Sequence, residues 1–337
     1  MKQWLTRLFG GAATSAPPPA HTSSPASPAP SRARATGTPA VDAIAPAHVD
    51  LAFYRWLTEA VRGDADASAE ARILAELARL VVDPAAAGDL VPRVPAVLPE
   101  LLRSLRDETV SGGELARQIA RDTVLVAEVI REANSPYFRG AKPVTTIDGA
   151  VMVLGENGLR IVLARVAFRP VINMQGGRGT DRIVRAVAPR LWLQSDACAL
   201  AASLLAPELG ADPFEAYLAG LVLNVGLVVA FRVIDHLGLP VAPQSDAFCA
   251  ALLANSRELA AGIASHWGLP AFVAAAIVRA GRPGTQPLAE ALGRADLLAK
   301  LRLLLDQGVF AAHDEPLPTL LAGPVRRHFE RLGQHGQ

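Results

Sequence analysis

Asn224 is the one polar side chain in a sixteen-residue stretch, Ala216 to Phe231, that is otherwise apolar or glycine. A carboxamide there can hydrogen-bond a backbone or side-chain partner, but it brings no charge and so binds a hard cation poorly. Its neighbours offer no ion. None of the seven histidines has a second histidine at i+3 or i+4, so the helix-borne metal pair of an HExxH type is absent. His313-Asp314 stands in AAHDEPLP beside prolines and reads as a loop. Asp235-His236 falls near the end of a helical pattern, where a histidine complements the helix dipole, and His266 beside Trp267 reads as a surface or packing residue. Cys198 and Cys249 form no CxxC, which argues against a disulfide scaffold, a zinc ribbon or a redox motif. There is no GxSxG elbow and no GxxxxGK[ST] loop. GGRG at 176–179 lacks the strand and helix that a phosphate-binding loop needs, and is expected to be a mobile connection or a lid.

The elements that position these residues are helical. A chain of 337 residues can bury a sizeable core, and its 51% hydrophobic content comes mainly from Ala, Leu and Val, with few aromatics. No strand-like alternation bounded by turn residues occurs, so the fold class is all-α. The net charge of +1 supplies no global field for nucleic acid. The N-terminus has no signal-peptide core, and the stretch 216–231 falls short of the roughly 18 residues that a membrane span needs. These features predict a cytoplasmic protein.

Four pieces are expected. Residues 1–47 hold a short amphipathic start and a Pro/Ala/Ser-rich linker that buries too little to offset its ordering entropy, and so should be disordered. Within it Trp4, Leu5, Leu8 and Phe9 share one helical face beside Lys2 and Arg7, a pattern suited to docking on a protein or a membrane surface. Residues 48–90 carry two amphipathic helices, 91–285 the main domain, and 286–337 a helical tail broken near 314–318. In the main domain Ser111 with Glu114 makes a capping box for GELARQIA. Asp122 caps the next helix, which should end at Asn134-Ser135-Pro136. Thr145 with Asp148 caps another, which Gly155 stops, and a helix over Arg160 to Arg169 follows. Arg160, Arg165 and Arg169 spread around that helix at about 100° per residue, so they make no DNA-recognition stripe, and no DNA partner is expected.

The ordered series ELARQIARDTVLVAEVIREANSPYF, VTTIDGAVMVLGENGLRIVL, LWLQSDACALAASLLA, EAYLAGLVLNVG and HWGLP resembles the HDOD family, over about 190 residues from Val91 to Gly281. That family is a set of helical signalling modules related to the HD-type metal-dependent phosphohydrolases, including the HD-GYP phosphodiesterases of cyclic di-GMP. The resemblance implies an HD-like helical bundle, a role in bacterial signal transduction, and protein partners.

In many relatives GLVLNVG reads GLLHDIG, the histidine and aspartate being the metal-binding pair; here Leu223 and Asn224 stand in their place. Gln194 occupies the histidine position of LWxHS, Ser256 the histidine position eleven residues before Trp267, and Ala280 and Gly281 a position where a histidine pair often stands. The resemblance therefore implies degenerate ligand positions, no metal, no cofactor and no catalysis, with a residual HD-type phosphodiesterase as an alternative. Two roles remain for these residues. Asn224 bonds backbone carbonyls or Gln194 across a vacated site, or Gln194, Asn224 and Ser256 line a small polar cleft that binds a cyclic dinucleotide without hydrolysing it.

Overall fold

The computed structural model describes residues 46–83, 90, 110–121, 123–134, 143–172, 181–284, 286–311 and 324–335. The expected docking segment Trp4, Leu5, Leu8 and Phe9, the linker to residue 45, Asp122, the 176–179 glycine run and His313-Asp314 lie outside the described residues. Within the described residues there are twelve helices and no strand, so the fold is all-α.

Two helices precede the main domain: α1 (Pro46–Leu57) and α2 (Ala67–Val82). Asp66 caps α2 by accepting from Ala69 N at 2.6 Å, which satisfies one of the free N–H groups of the first turn. On α1, Phe53 and Tyr54 are fully buried, each contributing roughly 2 kcal/mol through area removed from water. The Tyr54 hydroxyl donates to Pro243 O at 2.9 Å, and Arg190 lies 4.9 Å over the Trp56 ring. The extension is thus part of the core.

Three helices come next: α3 (Gly112–Ile119), α4 (Thr123–Ala133) and α5 (Ile147–Ile172). Ser111 caps α3 as expected, accepting from Glu114 N. Helix α4 stops before Asn134, whose carboxamide bonds Val144 in both directions, at 2.7 and 2.8 Å, and so holds the end of α4 beside Val144. The cap of α5 is Thr146 and not Thr145, because it is the Thr146 hydroxyl that accepts from Gly149 N three residues on. Gly155, at φ 66°, breaks α5 into two segments, a conformation that side chains other than glycine rarely adopt.

The remaining helices are α6 (Arg182–Leu209), α7 (Pro213–Val222), α8 (Val225–His236), α9 (Asp246–His266), α10 (Ala271–Arg279), α11 (Pro287–Asp306) and α12 (Pro324–His335). Helix α6 is the long central element and packs on α7 and α11, while α8 packs on α9. Gly226 makes the last contact possible: a Cβ there would lie 1.8 Å from Ser256 O, so only glycine lets the helices approach this closely. Asp235 caps α6 across the fold, accepting from Ile183 N and Val184 N at 2.9 and 3.0 Å. That contact assigns the carboxylate of the Asp235-His236 pair, and its histidine is exposed.

One sequence expectation needs correction. The span Pro213–His236 is long and apolar enough, by length and composition alone, to cross a membrane, with a mean hydropathy of 2.1. Its most apolar 18-residue window is nevertheless 94% buried within the protein, and a turn at Leu223-Asn224 divides the span into α7 and α8. Its apolarity is that of a core hairpin.

Candidate functional site

The turn between α7 and α8 delivers Asn224 into the core at the residue just before α8, 4% exposed. Its carboxamide meets α6, because Nδ2 donates to Gln194 Oε1 and, at 3.1 Å, to Ser195 Oγ. Gln194 is fully buried, and its own Nε2 donates to Asp296 Oδ1 on α11 at 2.6 Å. A carboxylate can only accept, so Asp296 fixes the orientation of the Gln194 amide, which in turn fixes that of Asn224. The donors run one way, from Asn224 to Gln194 to Asp296.

Two cations close the other side of Asp296. Lys300 Nζ lies 2.7 Å from Asp296 Oδ2, and the Arg257 guanidinium on α9 reaches the same oxygen at 2.9 Å. Lys300 also donates to Asp50 Oδ1 on α1 at 2.6 Å and sits 5.3 Å over the Phe53 ring. Burial alone would lower the ammonium's pKa, but the carboxylates of Asp296 and Asp50 outweigh it and hold the pKa above its ordinary value. Burial likewise works against the Asp50 carboxylate, and Lys300 with Arg257 brings its pKa below the usual range. The set contains two carboxylates and two fixed cations, and its charge balances without any further ion.

The predicted residues fall on both sides of this arrangement. Gln194 and Asn224 are joined directly, as one of the two expected roles required. Leu223 is buried at the end of α7 and contributes no polar atom. Ser256 stands apart: it is 2% exposed, its hydroxyl donates to Leu253 O within its own helix, and its carbonyl is what Gly226 packs against. Ala280 offers its backbone carbonyl to Arg257 at 2.9 Å. Gln194, Asn224 and Ser256 are all buried. A cavity of about 450 Å³ lies between α1 and α9, with Asp50 and Arg257 in its wall. It adjoins the outer end of the network.

Sequence reading missed Asp50, Asp296, Lys300 and Arg257. Asp296 and Lys300 are spaced i, i+4, a pattern that on most helices marks an exposed pair. The available signal was α11 itself, where leucines and alanines surround the pair closely enough to require it to face inward. A second ion cluster links α4, α5 and α6: Arg165 on α5 makes two 2.8 Å bonds to Asp196 on α6 and a further one to Glu132 on α4. Arg160 is 7% exposed and bonds Val110 O at 3.2 Å. Neither arginine is presented outward.

Among the described residues no group of three or more His, Cys, Asp or Glu is arranged to hold a metal ion. The metal that the HD-type resemblance implies would need imidazoles and carboxylates converging on one point. The side chains at this place are a leucine, which has no donor atom, two carboxamides, a serine bonded within its own helix, and a carboxylate already shared by two cations. These residues do not fit that metal.

Comparison with known proteins agrees with the helical reading. The profile of the HDOD domain matches residues 91–283, more than half of the chain. A crystal structure of an HDOD domain protein with unknown function from Geobacter sulfurreducens shares 24% identity, over 72% of this chain and 83% of that one, with a TM-score of 0.52. A "Putative phosphohydrolase" from Shewanella amazonensis shares 22% identity over 77% of this chain and 93% of its own, with a TM-score of 0.54. A "Putative metal-dependent phosphohydrolase" of the same organism shares 17% over 80% and 100%, with a TM-score of 0.53. At these identities the likeness is one of fold. A search of the curated proteins returned no match.

Proposed function

The chain belongs to the HDOD domain family, and from that premise we propose that it is a cytoplasmic, metal-free and non-catalytic module of bacterial signal transduction, a scaffold whose output is contact with other proteins. One observation carries the reading. At the place where an HD-type hydrolase would hold its ion, Asp296 is already neutralised by Lys300 and Arg257 at hydrogen-bond distance. A divalent cation would meet two fixed positive charges and no imidazole, and no water would be activated there. The buried chain from Asn224 to Asp296 then serves structure, holding α6, α8 and α11 in register.

The test is hydrolysis of a simple phosphodiester and of cyclic di-GMP with manganese or iron present, together with affinity capture from a bacterial lysate. No turnover above background is expected, and one protein should be retained in fixed proportion. Metal-dependent turnover, abolished by a chelator, would overturn the reading.

A second reading is favoured by the cavity between α1 and α9. Its wall carries charged groups linked to the buried network, which suits a sensor that binds a nucleotide without hydrolysing it.

A further inference from the structure

The cavity between α1 and α9 has a definite chemical asymmetry. Leu51, Leu253 and Cys249 give it an apolar floor, and its charged lining is Asp50, Arg257 and Asp246, the last already paired with Arg55 at 2.7 Å. Asp50 and Arg257 keep hydrogen-bonding capacity after their protein contacts are met. A guanidinium has five N–H donors, and the bonds of Arg257 go to Ala280 O through Nη1 and to Asp296 through Nη2. Asp50 accepts from Lys300 through Oδ1, and among the described residues Oδ2 receives no donor. Both side chains reach solvent, Asp50 at 31% and Arg257 at 27% exposure. His48, another lining residue, stacks with Phe310 at a centroid distance of 5.9 Å and an interplanar angle of 20°.

A site of this kind selects by its pattern of donors and acceptors. An isolated anion would be drawn to Arg257 but repelled by Asp50, and an isolated cation the reverse. A neutral group carrying donors and acceptors side by side satisfies both, and the apolar floor favours one that is planar. Arginine pairs with the O6 and N7 acceptors of guanine, and a carboxylate oxygen can accept from its N1–H and N2–H₂ donors. Adenine has no such pair of adjacent donors. The volume of about 450 Å³ falls within the range of small-molecule sites.

We propose that this cavity is a binding site for a guanine-type purine base, with Asp50 accepting from the base, Arg257 donating to it, and Leu51 and Leu253 packing on its faces. The inference deepens the sensor reading and rests on it. It places the ligand at the α1–α9 cavity, away from the buried Gln194, Asn224 and Ser256.

The experiment is calorimetric titration of the full chain with guanosine, inosine and adenosine, and separately with cyclic di-GMP. Guanosine should bind saturably. Inosine, lacking the 2-amino group, should bind roughly tenfold more weakly, and adenosine more weakly still. Asp50→Asn should weaken guanosine at least tenfold. Because Asp50 also pairs with Lys300, Ala254→Trp serves as a second variant: Ala254 is exposed on α9 and lines the cavity, so the indole fills space there without removing a member of an ion pair. It should fold normally and lose guanosine. Absence of saturable guanosine binding, equal affinity for adenosine, or full affinity in Ala254→Trp would each overturn the inference. Cyclic di-GMP binding that survives Ala254→Trp would keep the sensor reading while removing it from this cavity.

Discussion

Lys300 and Asp296, one turn apart on α11, form an ion pair at 2.7 Å in which each side chain is 5% exposed. Pairs of this spacing on a helix surface contribute a few tenths of a kcal/mol. Here neither partner can turn to water, so the loss of one leaves a buried charge behind. Lys300→Met should therefore lower unfolding free energy by about 3 kcal/mol. Urea denaturation read by circular dichroism checks this, and a double-mutant cycle with Asp296→Asn should give a coupling of at least about 1 kcal/mol.

The same pair contributes to the alkaline limit of stability, together with the buried Tyr54, Cys198 and Cys249, whose raised pKa values act in the same sense. Lys300 has a folded pKa raised above its ordinary 10.5, so its contribution is fully present below that value and is lost as pH rises through the folded pKa. Asp50 behaves in the opposite sense. Its folded pKa lies below 3.8, so its contribution is present above 3.8 and lost as pH falls through the folded value. Thermal melts from pH 2 to 12 should show a plateau bounded on both sides, and Lys300→Met should remove its part of the alkaline arm. An unchanged alkaline arm in that variant would show that Lys300 is not paired as described.

Cysteine chemistry reports on the same region. Burial pushes the Cys249 thiol up to about 12 and the wholly buried Cys198 thiol well above its usual value, with the Asp296 charge adding to the second. At pH 8 a disulfide reagent should react slowly with the native protein, and with two thiols per chain once urea is added. Rapid release of one equivalent from the folded state would show that Cys249 is open at the cavity wall.

Asn224→Asp tests the direction of the donor chain. The new carboxylate would face Gln194 Oε1, itself an acceptor, and Gln194 cannot turn without losing Asp296. A loss of about 2–4 kcal/mol is expected, measured by urea unfolding. Gly226→Ala should cost more, since its methyl group meets the Ser256 carbonyl and the α8–α9 contact must open.

Much of the fold was legible because helix periodicity and caps are local signals. The spacing of Ser111 to Glu114 marks a cap and Gly155 marks a helix stop, and both stand so in the structure. The one-residue error at Thr145 arose because two threonines in succession offer the same hydroxyl. Gln194 and Asn224 were legible as a pair through family resemblance, since periodicity cannot bring together residues thirty positions apart. Their third partner, Asp296, lies 102 residues from Gln194, in a segment read as a tail beyond the domain. Nothing local distinguishes its spacing to Lys300 from that of a solvated pair. Only the packing of α11 against α6 decides which way the two point.

The most direct test of the central claim is the metal content of the untagged protein, measured by mass spectrometry after incubation with manganese and iron and removal of free ions. With Lys300 and Arg257 already neutralising Asp296, less than a tenth of an equivalent of metal per chain is predicted. One or two equivalents that survive desalting and disappear in Asp296→Asn would contradict the account and return the protein to the hydrolases.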